Sequence, residues 1–249
     1  MSDMKKITIL LSICLLMTYC KKDNSGNIAN NIGYEYYPTA IGSFVTYQVD
    51  STNYNDFFVP VLVTNSSFQI KEKIESEFED NLGRKSLRIE RYIRNNNSEN
   101  WRLLNVWYAT RTERVLEKIE DNQRFIKLVF PPSKNTTWKG NKYIEKDVQP
   151  TLFDEIWNYK ITSLDEPLSL GSKNYDSTLT VIQKEYIDGD SRFSLIDKVY
   201  SKEIFAKGVG MVYKELWNVQ RQKNLNQPWL TSAERGYILK YTAIDYGIE

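Results

Sequence analysis

Three acidic side chains, Glu75, Glu77 and Glu79, recur at every second position of one segment. Residues two apart on a strand share a face at about 6.5–7 Å, a spacing formally open to glycoside hydrolysis by paired carboxylates. Lys71 and Lys73 sit on the same face, however, and it reads as solvated, whereas a general acid needs a desolvated carboxyl. Asp188-Gly189-Asp190-Ser191 begins like a calcium loop. Arg192, Phe193 and Leu195 then end the oxygen series, so a hairpin turn is expected there. Gly208-Val209-Gly210 has Tyr213 where a dinucleotide loop needs its third glycine, and it too reads as a turn. The chain has no histidine. That removes Ser-His-Asp and Cys-His catalysis, the commonest metal ligand and the proton switch near neutrality. No catalytic, cofactor or metal residue is assigned. The protein is expected not to be an enzyme, with a histidine-free carboxylate hydrolase as the remaining catalytic alternative.

Chemistry of another kind is written at the start of the chain. Lys5 and Lys6 precede an apolar run from Ile7 to Tyr19, which ends at Cys20 and is followed at once by Lys21, Lys22 and Asp23. The run is shorter than the roughly 20 residues a membrane span requires and has the length and flanks of a secretory signal. It resembles a bacterial lipoprotein signal. The resemblance implies cleavage before Cys20 and acylation of its sulfur and new amine, palmitate among the chains. Each buried methylene contributes about 0.8 kcal/mol, and one chain holds only marginally, so several chains on one cysteine anchor stably. Tyr19 stands where a small residue is usual, and Met17 takes the place of the usual leucine. Cys14 is the competing site, but it would leave a much shorter apolar run. Asp3 is unusual so early, and Met4 would make a cleaner start. An ordinary cleaved signal or an uncleaved anchor is the alternative, and either still exports the chain.

The expected organisation is a signal over 1–19, a polar Asn-rich tether over 20–33 and a single β-rich body over 34–249. A body of this size can bury about 70% of its unfolded surface. It has no disulfide to rely on, since Cys14 and Cys20 are the only cysteines. Lys plus Arg is 33 against 32 for Asp plus Glu. That balance argues against a nucleic-acid partner and against a polybasic lipid-binding block. The expected partner is the membrane, reached through the lipid anchor.

The body reads as strands. Phe44 to Val49 is rich in β formers. Phe57 to Val63, interrupted by Pro60, reads as an edge strand or a packed loop. In the next segment Phe68, Ile70, Ile74 and Phe78 fall on one face and charged residues on the other. Trp101 to Thr110 is apolar on both faces and is expected to be covered on both. The Pro167–Gly171 region reads as a loop, Asn141 to Asp154 as a possible short helix, and Leu195 to Phe205 as a short helix or a strand. With turn residues between about ten such runs, the fold class is all-β: an antiparallel meander forming a curved sheet, half-barrel or barrel-like sandwich, with at most one or two short helices.

Six tryptophans and 17 tyrosines are available. Trp101, Trp107, Trp157 and Trp217 lie in predicted strands and read as core. Trp138 and Trp229 lie in predicted loops and are the candidate ligand-contact aromatics. Asp50-Ser51-Thr52 and Asp176-Ser177-Thr178 resemble the short O-glycosylation motif of exported Bacteroidota proteins, which makes Ser51 and Ser177 candidate acceptors. Several longer phrases, YYPTAIGSFVTYQVDS, SFQIKEKIESEFEDNLGRKSLRIERYIR, EDNQRFIKLVFPP, AKGVGMVYKELW and YTAIDYG, resemble a group of β-rich envelope lipoproteins of Bacteroidota. The resemblance implies a fold and an address, the outer membrane, and brings no catalytic residues with it. The sequence thus points to a lipid-anchored, non-enzymatic binding or structural module of the envelope. An apolar ligand inside a curved sheet is the first reading, and a glycan or protein bound by exposed aromatics is the second.

Overall fold

Alternating side chains fold the body into one antiparallel sheet. A computed structural model describes residues 32–144, 156–188, 194–223 and 227–249. After a 3₁₀ turn, Tyr34–Tyr36, the strands are β1 Ser43–Asn55, β2 Leu62–Glu79, β3 Lys85–Arg94, β4 Arg102–Arg111, β5 Val115–Glu120 and β6 Gln123–Val129. They continue with β7 Thr137–Lys139, β8 Asn158–Leu170, β9 Lys173–Asp188, β10 Leu195–Ala206, β11 Gly210–Gln222 and β12 Arg235–Ile248. A single four-residue helix, α1 Trp229–Ser232, precedes β12. The twelve strands are ordered β6-β5-β4-β3-β2-β1-β12-β11-β10-β9-β8-β7. This is sequence order run as a ring, with β12 paired to β1 and the opening between β6 and β7. The result is a nearly closed, barrel-shaped meander, as the β periodicity predicted.

The opening is narrow. Ile126 N–H of β6 donates to Gly140 O at 2.7 Å, just past β7, and Trp138 Nε1 donates to Ile126 O at 2.8 Å. Gly140 N–H in turn donates to Trp157 O at 2.9 Å. Only glycine fits at this point, because a Cβ on Gly140 would lie 2.3 Å from the ring of Tyr159, itself 1% exposed. Gly140→Ala is therefore expected to lower the urea midpoint by an amount worth about 1–3 kcal/mol, the usual cost of overpacking. Wild-type stability in that variant would contradict so tight a seam.

The other exposed edge is blunted. Below Lys160, β8 has no strand on its outer side, and an unpaired edge invites aggregation. Pro167 removes one N–H there, Asp165 sits at φ 58°, and the pairing with β9 shifts register three times. This is why a region with the turn signature of a loop is strand: proline is tolerated at a sheet edge.

Leu195–Ala206 is strand throughout. Leu62 and Val63 begin β2, while Phe57 to Val61 form the turn before it; the run is neither an edge strand nor a packed loop. The segment expected as a possible helix lies largely outside the described residues, as do Gly189 and Asp190.

Chain direction alternates around the ring. One end carries Tyr34 to Gly42, where the body begins, together with the β2–β3 turn. The other end carries the β1–β2 turn and the β11–β12 loop. The interior is packed with Tyr47, Val49, Ile70, Ile74, Leu87, Ile89, Trp107, Leu116, Leu128, Tyr159, Ile161, Val181, Phe205 and Met211.

Candidate ligand-binding groove

A wide open groove lies on the outside of the barrel. A β-bulge between Ile74 and Ser76 shifts the pairing of β2 with β3. A one-residue slip turns every later side chain to the opposite face. Phe78, which the alternation placed in the core, is therefore outside and 38% exposed. It meets Tyr108 edge-on at 5.5 Å between ring centroids. Tyr108 belongs to β4, whose outer face was expected to be covered. That face is instead half-open, and it is the floor of a groove of about 840 Å³ spread over β2 to β6.

The walls of the groove are ordered by ion pairs. In the β2–β3 turn Asp80 accepts the N–H groups of Leu82 and Arg84, both at 2.9 Å. Its second oxygen receives Arg84 Nε at 2.8 Å, and these bonds hold the Asp80 carboxyl down at about 2. Arg84 reaches on to Glu117 at 3.2 Å, and Arg124 meets the same carboxylate oxygen at 2.5 Å. Arg88 is clamped between Glu75 at 3.0 Å and Glu90 at 2.5 Å. Beneath them Ser86 and Thr110 share a hydrogen bond of 2.7 Å and are both buried. The lining thus brings together the rings of Phe78, Tyr108 and Tyr143, the apolar Leu82, and fixed polar groups of both signs. Three arginines oppose Glu79, Asp80 and Glu117, so the groove has no net charge to attract an ion.

The interior of the barrel has a different character. Seven charged side chains form a belt across it. Arg91 pairs with Glu72 at 3.0 Å, and Lys118 bridges Glu72 at 2.9 Å and Glu120 at 3.5 Å. Lys127 bridges Glu120 at 3.2 Å and Glu203 at 2.7 Å, and Lys214 lies 3.7 and 3.6 Å from the same two carboxylates. The Arg91 guanidinium stacks 3.5 Å above the Trp107 ring. Burial pushes the Glu120 carboxyl up, but Lys127, Lys214 and Lys118 outweigh it and leave the group below its ordinary value. Glu72 is likewise lowered, by Lys118 and Arg91 against its burial. The cavity beside the belt measures only about 50 Å³, room for a few waters.

The structure separates the two candidate aromatics. Trp138, expected in a loop, lies in β7, half-buried at the seam, edge-on to Tyr159 at 5.8 Å and packed against the main core. Trp229 opens α1 and packs on a second, smaller cluster formed by Tyr54, Val219, Ala233 and Ile238, with the Arg221 guanidinium 4.3 Å over its ring. Of the four tryptophans read as core, Trp107 and Trp157 are buried. Trp101 and Trp217 are half-buried under cations, Arg94 at 4.3 Å and Lys198 at 4.2 Å. Ser51 lies in β1, 8% exposed, and its Oγ accepts from Asn53 at 3.1 Å. Ser177 lies in β9 and donates to Asp165 at 2.7 Å, on an oxygen that also receives Tyr36 and Lys207. Cys20 lies outside the described residues. Among the described residues no group of three or more acidic, cysteine or histidine side chains could hold a metal ion.

No family model matches the sequence, and no curated protein matches it. Two crystal structures align over most of the chain. One is of a protein inferred to be exported, with a YmcC-like fold, from Bacteroides fragilis. It shares 8% identity over 84% of this chain and 97% of its own, with a TM-score of 0.37. The other is of a protein inferred to be a lipoprotein from Parabacteroides distasonis, with 9% identity over 85% of this chain and 98% of its own, and a TM-score of 0.33. Likeness this distant carries no role over to this chain.

Proposed function

We propose that the protein is an exported, lipid-anchored envelope module that binds a glycan in its outer groove and performs no catalysis. The address rests on the basic start, the apolar run and Cys20. The ligand class rests on one observation: the usable space is outside the barrel. A ligand pocket ordinarily needs about 300–1,000 Å³. The groove, at about 840 Å³, is in that range, and the interior cavity, at about 50 Å³, is far below it. An apolar ligand, the first reading of the sequence, is less well served by an interior cavity of that size. Aromatic faces take the C–H faces of sugar rings, and fixed arginine and carboxylate groups match their hydroxyls without demanding a charge.

The carboxylates support the non-catalytic part of the reading. Among the described residues, every one whose ionisation is clearly displaced, Glu72, Glu75, Asp80, Glu90, Glu120 and Asp165 among them, is displaced downward. A glycoside hydrolase needs one displaced upward.

Tyr108→Ala removes the aromatic floor of the groove. It is expected to weaken binding of an oligosaccharide selected on a glycan array by at least about tenfold, the scale of one lost aromatic contact, with little change in the urea midpoint. Unchanged affinity in that variant, or no binding by the wild-type chain to any arrayed glycan, would sink the proposal.

A further inference from the structure

The turn between β1 and β2 is an apolar tip at the end of the body opposite its first residues. Phe57 is 88% exposed, Val59 99%, and Phe58, Leu62, Val63 and the neighbouring Leu230 about half. No charged residue occurs from Phe57 to Val63. Below the tip, Asp56 and Arg235 neutralise each other at 2.7 Å. Tyr54 donates to Leu230 O at 2.8 Å above the small core cluster of Val219, Ala233 and Ile238. The tip is therefore an uncharged apolar surface on a rigid base. An exposed patch of this kind marks a site of contact with an apolar partner.

We propose that this tip inserts into the surface of the bilayer that holds the lipid anchor, and so fixes the pose of the body on the membrane. The inference rests on the reading of Cys20 as the acylated residue. The chain from Cys20 to Ile32 can span at most about 40 Å. A strand of 13 residues such as β1 rises about 43 Å along itself, which the usual tilt of barrel strands reduces to about 33 Å along the axis. The tip is thus within reach of the same bilayer. Anchoring makes its encounter with lipid intramolecular, and the partitioning of the tip offsets the cost of drawing the tether out beyond its relaxed length of about 20 Å. In this pose the β2–β3 turn that walls the groove is at the end turned away from the membrane, and the groove faces the aqueous side.

The acylated chain, reconstituted into phosphatidylethanolamine–phosphatidylglycerol vesicles, tests the pose. Once Cys20 is acylated no free thiol remains in the mature chain, so Val59→Cys and Leu82→Cys each place one environment-sensitive dye. Leu82 is 76% exposed, in the β2–β3 turn, and serves as the opposite end. The dye at 59 is expected to shift to the blue on adding vesicles and to lose at least half its emission to bromolipids; the dye at 82 should do neither. A dye at 59 that stays in water on fully bound protein overturns the proposal, as does insertion of the dye at 82. A partner protein at the tip would show as protection of 59 only when other envelope proteins are added, which also overturns it. Failure of the anchor reading is recognised separately, as a mature chain whose mass shows no acyl groups. In that chain Val59→Asp is expected to reduce vesicle partitioning at high lipid by at least tenfold, and equal partitioning overturns the tip's role.

Discussion

Lys127→Met is expected to destabilise the protein by about 3–5 kcal/mol, the range found when one partner of a buried ion pair is removed. Lys127 is 4% exposed and Glu203 fully buried. The lysine is the common partner of Glu203 and Glu120. Without it Glu203 keeps only Lys214, at 3.6 Å, and its second oxygen has no partner even in the intact protein. The cost comes from the stranded carboxylate rather than from lost attraction, and this gives the expectation a second arm. Lys127→Met combined with Glu203→Leu removes the pair together. Replacing a buried pair by apolar residues of similar size is often neutral, so the double variant should recover at least half of the loss. Urea denaturation of the two single variants and the double measures the coupling. Additive losses would mean that the two side chains do not act as a pair.

The sheet was legible because its signal is local. Alternation over Phe68 to Ile74 is a property of neighbouring residues, and so is the turn chemistry of Asp80-Asn81-Leu82-Gly83. The belt is different. Glu72 is in phase with Phe68, Ile70 and Ile74, and Lys127 is flanked by Phe125, Ile126 and Leu128. Each could be noticed as a charge on a buried face. Their partners could not, since Lys127 and Glu203 are separated by 76 positions and meet only when the ring closes. The groove was hidden for a related reason. Its floor was visible in the apolar outer face of Trp101 to Thr110, but the sequence suggested that something covers it. What leaves it half-open is the single bulge at Glu75, which brings Phe78 outside, and a bulge has no dependable local signature when the residues on both sides alternate normally. Pro167 misled in the opposite sense. Its loop signature is correct for a paired strand and wrong for an edge, and position in the sheet is a consequence of topology.

The same belt is expected to make the protein collapse in mild acid after a flat response through neutrality. Glu72 and Glu120 are held below the ordinary value of 4.5. A carboxyl lowered on folding contributes stability that is fully present above its unfolded value and is lost as the pH falls through its folded value. Lys127 is displaced upward, because Glu120 and Glu203 outweigh the effect of burial. Its contribution is complete below its unfolded value of 10.5 and fades only above it. Without histidine, no side chain of the acylated mature chain has an ordinary ionisation between about pH 5 and 9. The urea midpoint should therefore be constant from about pH 6 to 9 and fall steeply below about pH 4.5. Protonating Glu72 and Glu120 would leave Arg91, Lys118 and Lys127 short of carboxylate partners inside the barrel, and buried charge without a partner is costly. Circular dichroism across pH 3–9, with and without 0.5 M salt, reads this directly. Salt screens exposed pairs and leaves buried ones largely untouched, so an acid transition that salt abolishes would assign the effect to the surface. A midpoint unchanged at pH 3 would mean that the belt contributes nothing to holding the ring closed.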